Sequence, residues 1–273
     1  MIHATYKFYS NILGRMTGFD AILPRPQSLF QRMDREGAPR RKKCLWFFHG
    51  VGDCGADVLL HTHIGDLADG RDVAVLLPDI ENSFLLDSGP YMRYEGYFLD
   101  ELLPMAEEAL PLSPRRADRW IGGISMGGCG ACRMGLLRPE LFSRVAALSP
   151  ALDMRFAFRY ARVCQIALPP AFSPKSDLSA HPDWDVMHLL EQADPAAAPA
   201  FWLRCGDGDL LREGAEAFAA RAVRRGVSAV FTGAPGEHDW AFWRQCMEPA
   251  FDFLTENRPD PAAPCPPSAP GNG

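Results

Sequence analysis

An α/β fold, with a mostly parallel central sheet covered by helices on both faces, is what this sequence predicts. Three observations carry the prediction. Six apolar runs of strand length recur along the chain, and segments with helical spacing lie between them. The third is composition: 47% of the 273 residues are hydrophobic and 23% charged, which suits a sizeable buried core and excludes a largely disordered or collagen-like chain. A run that is apolar at every position fits a strand buried on both faces, and strand–helix alternation implies parallel pairing through crossover connections.

The N-terminal stretch reads as two strands, Thr5–Tyr9 and Phe19–Leu23, joined by a turn at Gly14–Gly18 and forming an antiparallel edge. The apolar runs then follow as CLWFFH (44–49), VAVLLP (73–78), RWIGGI (119–124), RVAALS (144–149), AFWLRC (200–205) and VSAVF (227–231). Among the helical patterns, residues 97–110 place Phe98, Leu102, Met105 and Ala109 on one face, with a kink predicted at Pro104. The stretch from Gly127 to Leu137 is rich in Ala, Leu and Met. Residues 212–225 form a helix ended by Gly226. Residues 239–255 form the last helix, with Trp240, Trp243, Met247 and Phe251 spaced three to four apart. Two segments break this rhythm. Residues 151–199 are proline-rich with little regular pattern, a length that suggests a lid-like excursion. The last sixteen residues, 258–273, hold six prolines and read as a disordered tail. The domain organisation expected is therefore one α/β domain over residues 1–257.

Charge and cysteines narrow the setting. With 28 Lys and Arg against 34 Asp and Glu, the net charge is −6, which leaves no electrostatic footprint for nucleic acid or an anionic membrane. No segment reaches the ~18 apolar residues of a membrane span. The first twenty residues lack the basic start and apolar run of a signal peptide. Eight cysteines in a chain of this length point to reduced thiols and a cytoplasmic location. Cys129 and Cys132 have the spacing of a redox or zinc pair, but no second pair accompanies them.

The strongest local signal is Gly123-Ile-Ser125-Met-Gly127. It follows a strand and opens a helix, the context of a nucleophile elbow. Glycines on both sides permit a tight turn that lifts Ser125 clear of the sheet, and the helix aims its positive end at a developing oxyanion. The plain alternative is a Gly-rich turn with a solvated Ser. A serine nucleophile needs a base, and three histidines follow it. His238 stands in Gly-Glu-His-Asp-Trp after the last strand, where ligand chemistry gathers in open α/β sheets. His181 and His188 lie in the excursion and read as solvated. The orienting acid belongs to the turn Gly206-Asp207-Gly208-Asp209, and spacing alone leaves both carboxylates open. Asp209 runs into Leu210 and Leu211, which can anchor it, whereas Asp207 sits between two glycines. The oxyanion donors expected are the backbone N–H groups of Met126, next to the nucleophile, and Val51, in the turn His49-Gly50-Val51.

Two rival readings share this region. Gly50-Val-Gly52-Asp-Cys-Gly55 matches a dinucleotide fingerprint, with Asp79 at a plausible distance for a ribose, but it leaves Ser125, Asp209 and His238 unexplained. His61, His63 and Asp66 offer metal-ligand chemistry without a third and fourth ligand at motif spacing. We therefore expect no metal and no cofactor.

Taken in order, several stretches resemble bacterial esterases of the esterase D / tributyrin esterase group within the α/β-hydrolases, a group that includes S-formylglutathione hydrolases, feruloyl esterases and mycolyltransferases. They are YSNILGRMTGFDAILP, LWFFHGVGD, VAVLLPDIENSF, YEGYFLDELLP, GGISMGGCGA, RPELFSRVAALSPALD, CGDGDLL and GEHDWAFW, and they span roughly residues 5–255. The resemblance implies an α/β-hydrolase fold with Ser125 as nucleophile, His238 as base, Asp209 as acid and Val51 as second oxyanion donor. It departs from the group at Pro150, where Gly is more usual, and at Gly52-Asp-Cys-Gly55, which replaces a Gly/Asn-rich continuation. The activity implied is a serine carboxylesterase on short-chain acyl esters, with S-formylglutathione hydrolysis as the alternative. A non-catalytic binding protein on the same fold is the alternative of another class. The partner is then a small ester, and a homo-oligomer is compatible with the sequence.

Overall fold

The computed structural model describes residues 1–25, 40–163 and 180–256. The proposed tail at 258–273 and the middle of the 151–199 excursion lie outside them. Eight strands form one sheet: β1 (Ile2–Ser10), β2 (Arg15–Leu23), β3 (Lys43–Phe48), β4 (Val73–Pro78), β5 (Arg119–Ile124), β6 (Arg144–Leu148), β7 (Ala200–Gly206) and β8 (Ala229–Ala234). Their spatial order is β1-β2-β4-β3-β5-β6-β7-β8. β1 pairs antiparallel with β2, and β2 antiparallel with β4, while β3 to β8 run parallel. This is an α/β-hydrolase fold.

Each apolar run became a strand because both of its faces are covered. In β3, Cys44, Trp46 and Phe48 enter one core layer, and Leu45 and Phe47 enter the other. The two-residue period of a strand sends neighbours to opposite faces. The first layer is closed by Phe98, Leu102, Phe142 and Phe218, and the second by Phe242, Trp243, Met247 and Phe251. Each such side chain contributes roughly 1.5–3 kcal/mol on burial.

The structure corrects the sequence expectations at four places. The first turn is at Asn11–Gly14, with Gly14 left-handed at φ 67°, and Gly18 lies inside β2 against the Tyr6 carbonyl. β8 begins two residues later than expected. Helices α1 (Gly55–His61) and α2 (Ile64–Arg71) occupy the connection between β3 and β4. In the next crossover, α3 (Tyr94–Gly96) runs into a π-helical stretch at Tyr97–Leu102 and then α4 (Leu103–Ala109). Pro104 sits just past that stretch. A proline lacks the N–H and crowds the carbonyl four residues back, and the wider turn relieves both. The wider turn also shifts the helical phase by one residue. Beyond it the buried residues are Leu103, Ala106 and Leu110, not Met105 and Ala109.

The helix after β5 is α5 (Met126–Leu137). The fourth correction is the segment read as irregular, which contains α6 (Met154–Val163) and α7 (Val186–Gln192), the latter N-capped by the Asp185 carboxylate. Arg133 of α5, 1% exposed, ties this region together. It donates to the Asp183 carbonyl at 2.7 Å, the Leu85 carbonyl at 3.3 Å and Glu95 at 2.6 Å. The chain closes with α8 (Arg212–Arg224) and α9 (Trp240–Thr255). Among the described residues no helix is long and apolar enough to cross a membrane.

Candidate active site

Ser125 occupies the junction of β5 and α5 with φ 54° and ψ −112°, a conformation that strains an L-residue. The turn is held from outside. Ser125 donates its N–H to the Leu148 carbonyl at 2.8 Å, and its own carbonyl accepts from Cys129 and Ala151 at 3.0 and 3.1 Å. The flanking glycines are a steric requirement. A Cβ on Gly123 would lie 2.5 Å from the Gly127 backbone, and one on Gly127 would lie 2.4 Å from the Phe48 carbonyl oxygen.

His238 comes from the loop between β8 and α9. Its Nε2 lies 3.0 Å from Ser125 Oγ, and its Nδ1 lies 3.1 Å from both carboxylate oxygens of Asp209. An ionised carboxylate only accepts, so Nδ1 carries the proton and Nε2 presents its lone pair to the serine hydroxyl. The Asp209 side chain is fully buried. Burial pushes its pKa up, but hydrogen bonds from His238, the Ser149 hydroxyl and the Leu211 N–H, together with the field of His238, hold it below the usual carboxylate range. Asp207, by contrast, is 55% exposed and pairs with Arg212. Of the two leucines expected to anchor Asp209, Leu211 is buried and Leu210 is exposed.

The turn after β3 packs directly on the start of α5. A Cβ on Gly50 would stand 3.7 Å from Ser125 Cβ, and one on Gly127 would stand 2.5 Å from the His49 carbonyl oxygen. The turn that carries Val51 is thereby held against the start of α5, which Met126 opens. Burial holds the His49 pKa down against a hydrogen bond to Gly50 and nearby carboxylates. The ring is fully buried, donates from Nδ1 to the Gly50 carbonyl at 2.7 Å and accepts at Nε2 from the Ile80 N–H at 3.0 Å. It pins the turn to the end of β4.

Sequence reasoning missed His49, Ser149 and Phe84. Ser149 is fully buried with φ 47°. Its Oγ accepts from the Trp243 indole N–H at 3.0 Å and donates to Asp209. Trp243 also packs edge-on against the His238 ring. The only local signal was the Ser-Pro dipeptide after β6. Phe84 has no local signal. It and Leu85 are consecutive left-handed residues, both with φ 55°, and Phe84 reaches the cavity at Ser125. That cavity measures about 170 Å³ and is walled by Val51, Phe84, Ala151, Ala157, Leu211 and Trp243, with Asp53 at one side.

The residues behind the two rival readings hold structural positions. Asp79 accepts from the Gly55 N–H at 3.0 Å and faces Lys7, so it anchors the start of α1. His61 stacks on Trp240, and His63 precedes α2. No group of three or more potential metal ligands occurs among the described residues. Cys129 and Cys132 are buried in α5. His181 stacks on Trp184, and both it and His188 are exposed.

Comparison with known proteins gives the family. The family model described as "Putative esterase" matches residues 87–254. An acetyl esterase of Caldicellulosiruptor saccharolyticus is 31% identical over 266 residues, covering 91% of this chain and 96% of that protein. Among solved structures, the fluorophosphonate-binding serine hydrolase F of Staphylococcus aureus superposes with a TM-score of 0.79 at 24% identity, over 94% of this chain and 99% of the other. The S-formylglutathione hydrolase of the same organism superposes with 0.78 at 23% identity, over 93% and 99%. These two structures share the fold. The family model and the acetyl esterase carry more: the chain belongs to the esterase family, and it is a carboxylic ester hydrolase.

Proposed function

We propose that the protein is a serine esterase of short-chain acyl esters, acting through an acyl-enzyme with Ser125, His238 and Asp209 as its triad. One observation carries the reading: the unbroken hydrogen-bond chain from Ser125 Oγ through His238 to buried Asp209, ending in the cavity. Ser125 Oγ attacks the ester carbonyl as His238 Nε2 takes its proton. Asp209 stabilises the imidazolium and keeps Nδ1 protonated. The N–H groups of Val51 and Met126 receive the oxyanion. His238 returns the proton to the departing alcohol, then takes one from the water that frees the acid. The chemistry needs no cofactor, and each catalytic group comes from a single chain.

Cavity size supports a short acyl group. About 170 Å³ is well below the ~300–1,000 Å³ of sites that enclose drug-sized ligands. The relative named as an acetyl esterase supports the same reading, and a formyl thioester is the second candidate for the same acyl space. All six described cysteines are free, which supports our reading of a reduced, cytoplasmic setting. The test is hydrolysis of p-nitrophenyl esters from acetate to palmitate, with fluorophosphonate labelling alongside. Acetate to butyrate should be turned over fastest, and Ser125→Ala should abolish labelling. Full labelling of that variant, or preference for palmitate, would overturn the proposal.

A further inference from the structure

Apart from Ser125 and His238, the described lining of the cavity at Ser125 is apolar but for one side chain. Asp53 lines it from the turn after β3. A Cβ on Gly50 would lie 3.0 Å from Asp53 Oδ2 and 3.7 Å from Ser125 Cβ, so the carboxylate and the nucleophile flank the same glycine. Asp53 and His238 also lie within each other's electrostatic reach. The Gly50 N–H donates to the Asp53 carboxylate, and the other charged or titratable groups that act on it are Asp57 and His61, both on α1. The Asp57 carboxylate is engaged by the Cys54 N–H at 2.8 Å, and the His61 ring is stacked on Trp240. Among the described residues that line the cavity there is no Lys or Arg.

We propose that Asp53 makes this site discriminate substrates by charge, favouring cationic over neutral esters and neutral over anionic ones. The inference rests on the reading of Ser125 as nucleophile and narrows its substrate class. A negative charge on either side of the scissile bond enters a small, partly desolvated space that already holds a carboxylate. A unit charge within a Debye length of a half-buried carboxylate changes affinity by roughly fivefold in either direction. The favoured leaving groups are then uncharged alcohols and alcohols bearing an ammonium group. Thioesters of an acidic thiol peptide such as glutathione are disfavoured, which separates the two candidate activities on electrostatic grounds.

Three acetate esters of similar size test this: acetylcholine (cationic), 3,3-dimethylbutyl acetate (neutral) and 2-acetoxyethanesulfonate (anionic). Acid release is followed by pH-stat at low and high salt. The wild-type kcat/KM should favour the cationic over the anionic ester by roughly twenty-five-fold at low salt, a ratio that shrinks as salt is added. Asp53→Asn should bring it to within about threefold, and Asp53→Glu should retain it. A purely structural role for Asp53 would lower all three rates alike. A wild-type ratio near one, or the same ratio in wild type and Asp53→Asn, overturns the inference while leaving the esterase reading intact. No turnover of any ester by the wild type overturns both.

Discussion

Replacing Asp209 with Asn separates the two acids of one turn. In the wild type, Asp209 Oδ1 takes the Leu211 N–H at 2.8 Å, and both oxygens lie 3.1 Å from His238 Nδ1. An asparagine that keeps its carbonyl on the Leu211 N–H must turn its NH₂ toward the ring. Two donors then face each other, so His238 moves its proton to Nε2, 3.0 Å from Ser125 Oγ. The serine proton loses its acceptor. Loss of the correct tautomer costs ~10⁴-fold in kcat in a serine protease triad, or about 5 kcal/mol of barrier, and we expect at least a thousandfold here. Asp207→Asn removes an exposed pair with Arg212, and such pairs are worth ~0–1 kcal/mol. Its kcat should therefore stay within about tenfold of wild type. The assay is steady-state kcat on p-nitrophenyl acetate for both variants, with circular dichroism to show that each is folded. Equal damage in both, or greater damage in Asp207→Asn, would refute the reasoning and move the acid elsewhere.

Ser149→Ala removes a donor to Asp209 and an acceptor for Trp243, so kcat should fall about tenfold with KM little changed, measured on the same substrate. Phe84→Ala opens one wall of the cavity, and the acyl-chain optimum of kcat/KM should move to longer esters across the p-nitrophenyl series. Burial holds the His49 pKa below its ordinary value, so the folded state binds fewer protons there than the unfolded state. Stability is then full above about pH 6.5 and declines as pH falls below it. Urea titrations from pH 8 to 5 should show this slope in the wild type and a flatter one in His49→Gln. In native protein, maleimide should label exposed Cys54 and spare Cys129 and Cys132, as peptide mass mapping would show. Burial pushes the Cys129 thiol up to about 12 and the Cys132 thiol well above its ordinary value.

The sequence by itself determined what local spacing encodes. Runs such as VAVLLP are apolar at successive positions, and only a strand covered on both faces buries them all, so β3 to β7 were legible to within a residue or so. Ser125 was legible because a tight turn between strand and helix demands glycines, and Gly123 and Gly127 stand on either side of it. His238 followed from its place after the last strand. Tertiary structure decided the rest, because burial is a sum over partners far away in the chain. Which of Asp207 and Asp209 meets the His238 ring depends on which side chain is enclosed, and the enclosing groups, Ser149 and His238, come from other elements. Pairing of β2 with β4, the phase shift at Tyr97–Leu102, and the delivery of Phe84 and Asp53 to one cavity have the same origin. Ser125 and His238 stand 113 residues apart and meet at 3.0 Å. Residue patterns record the period of each element, but they do not record which elements the sheet order brings side by side.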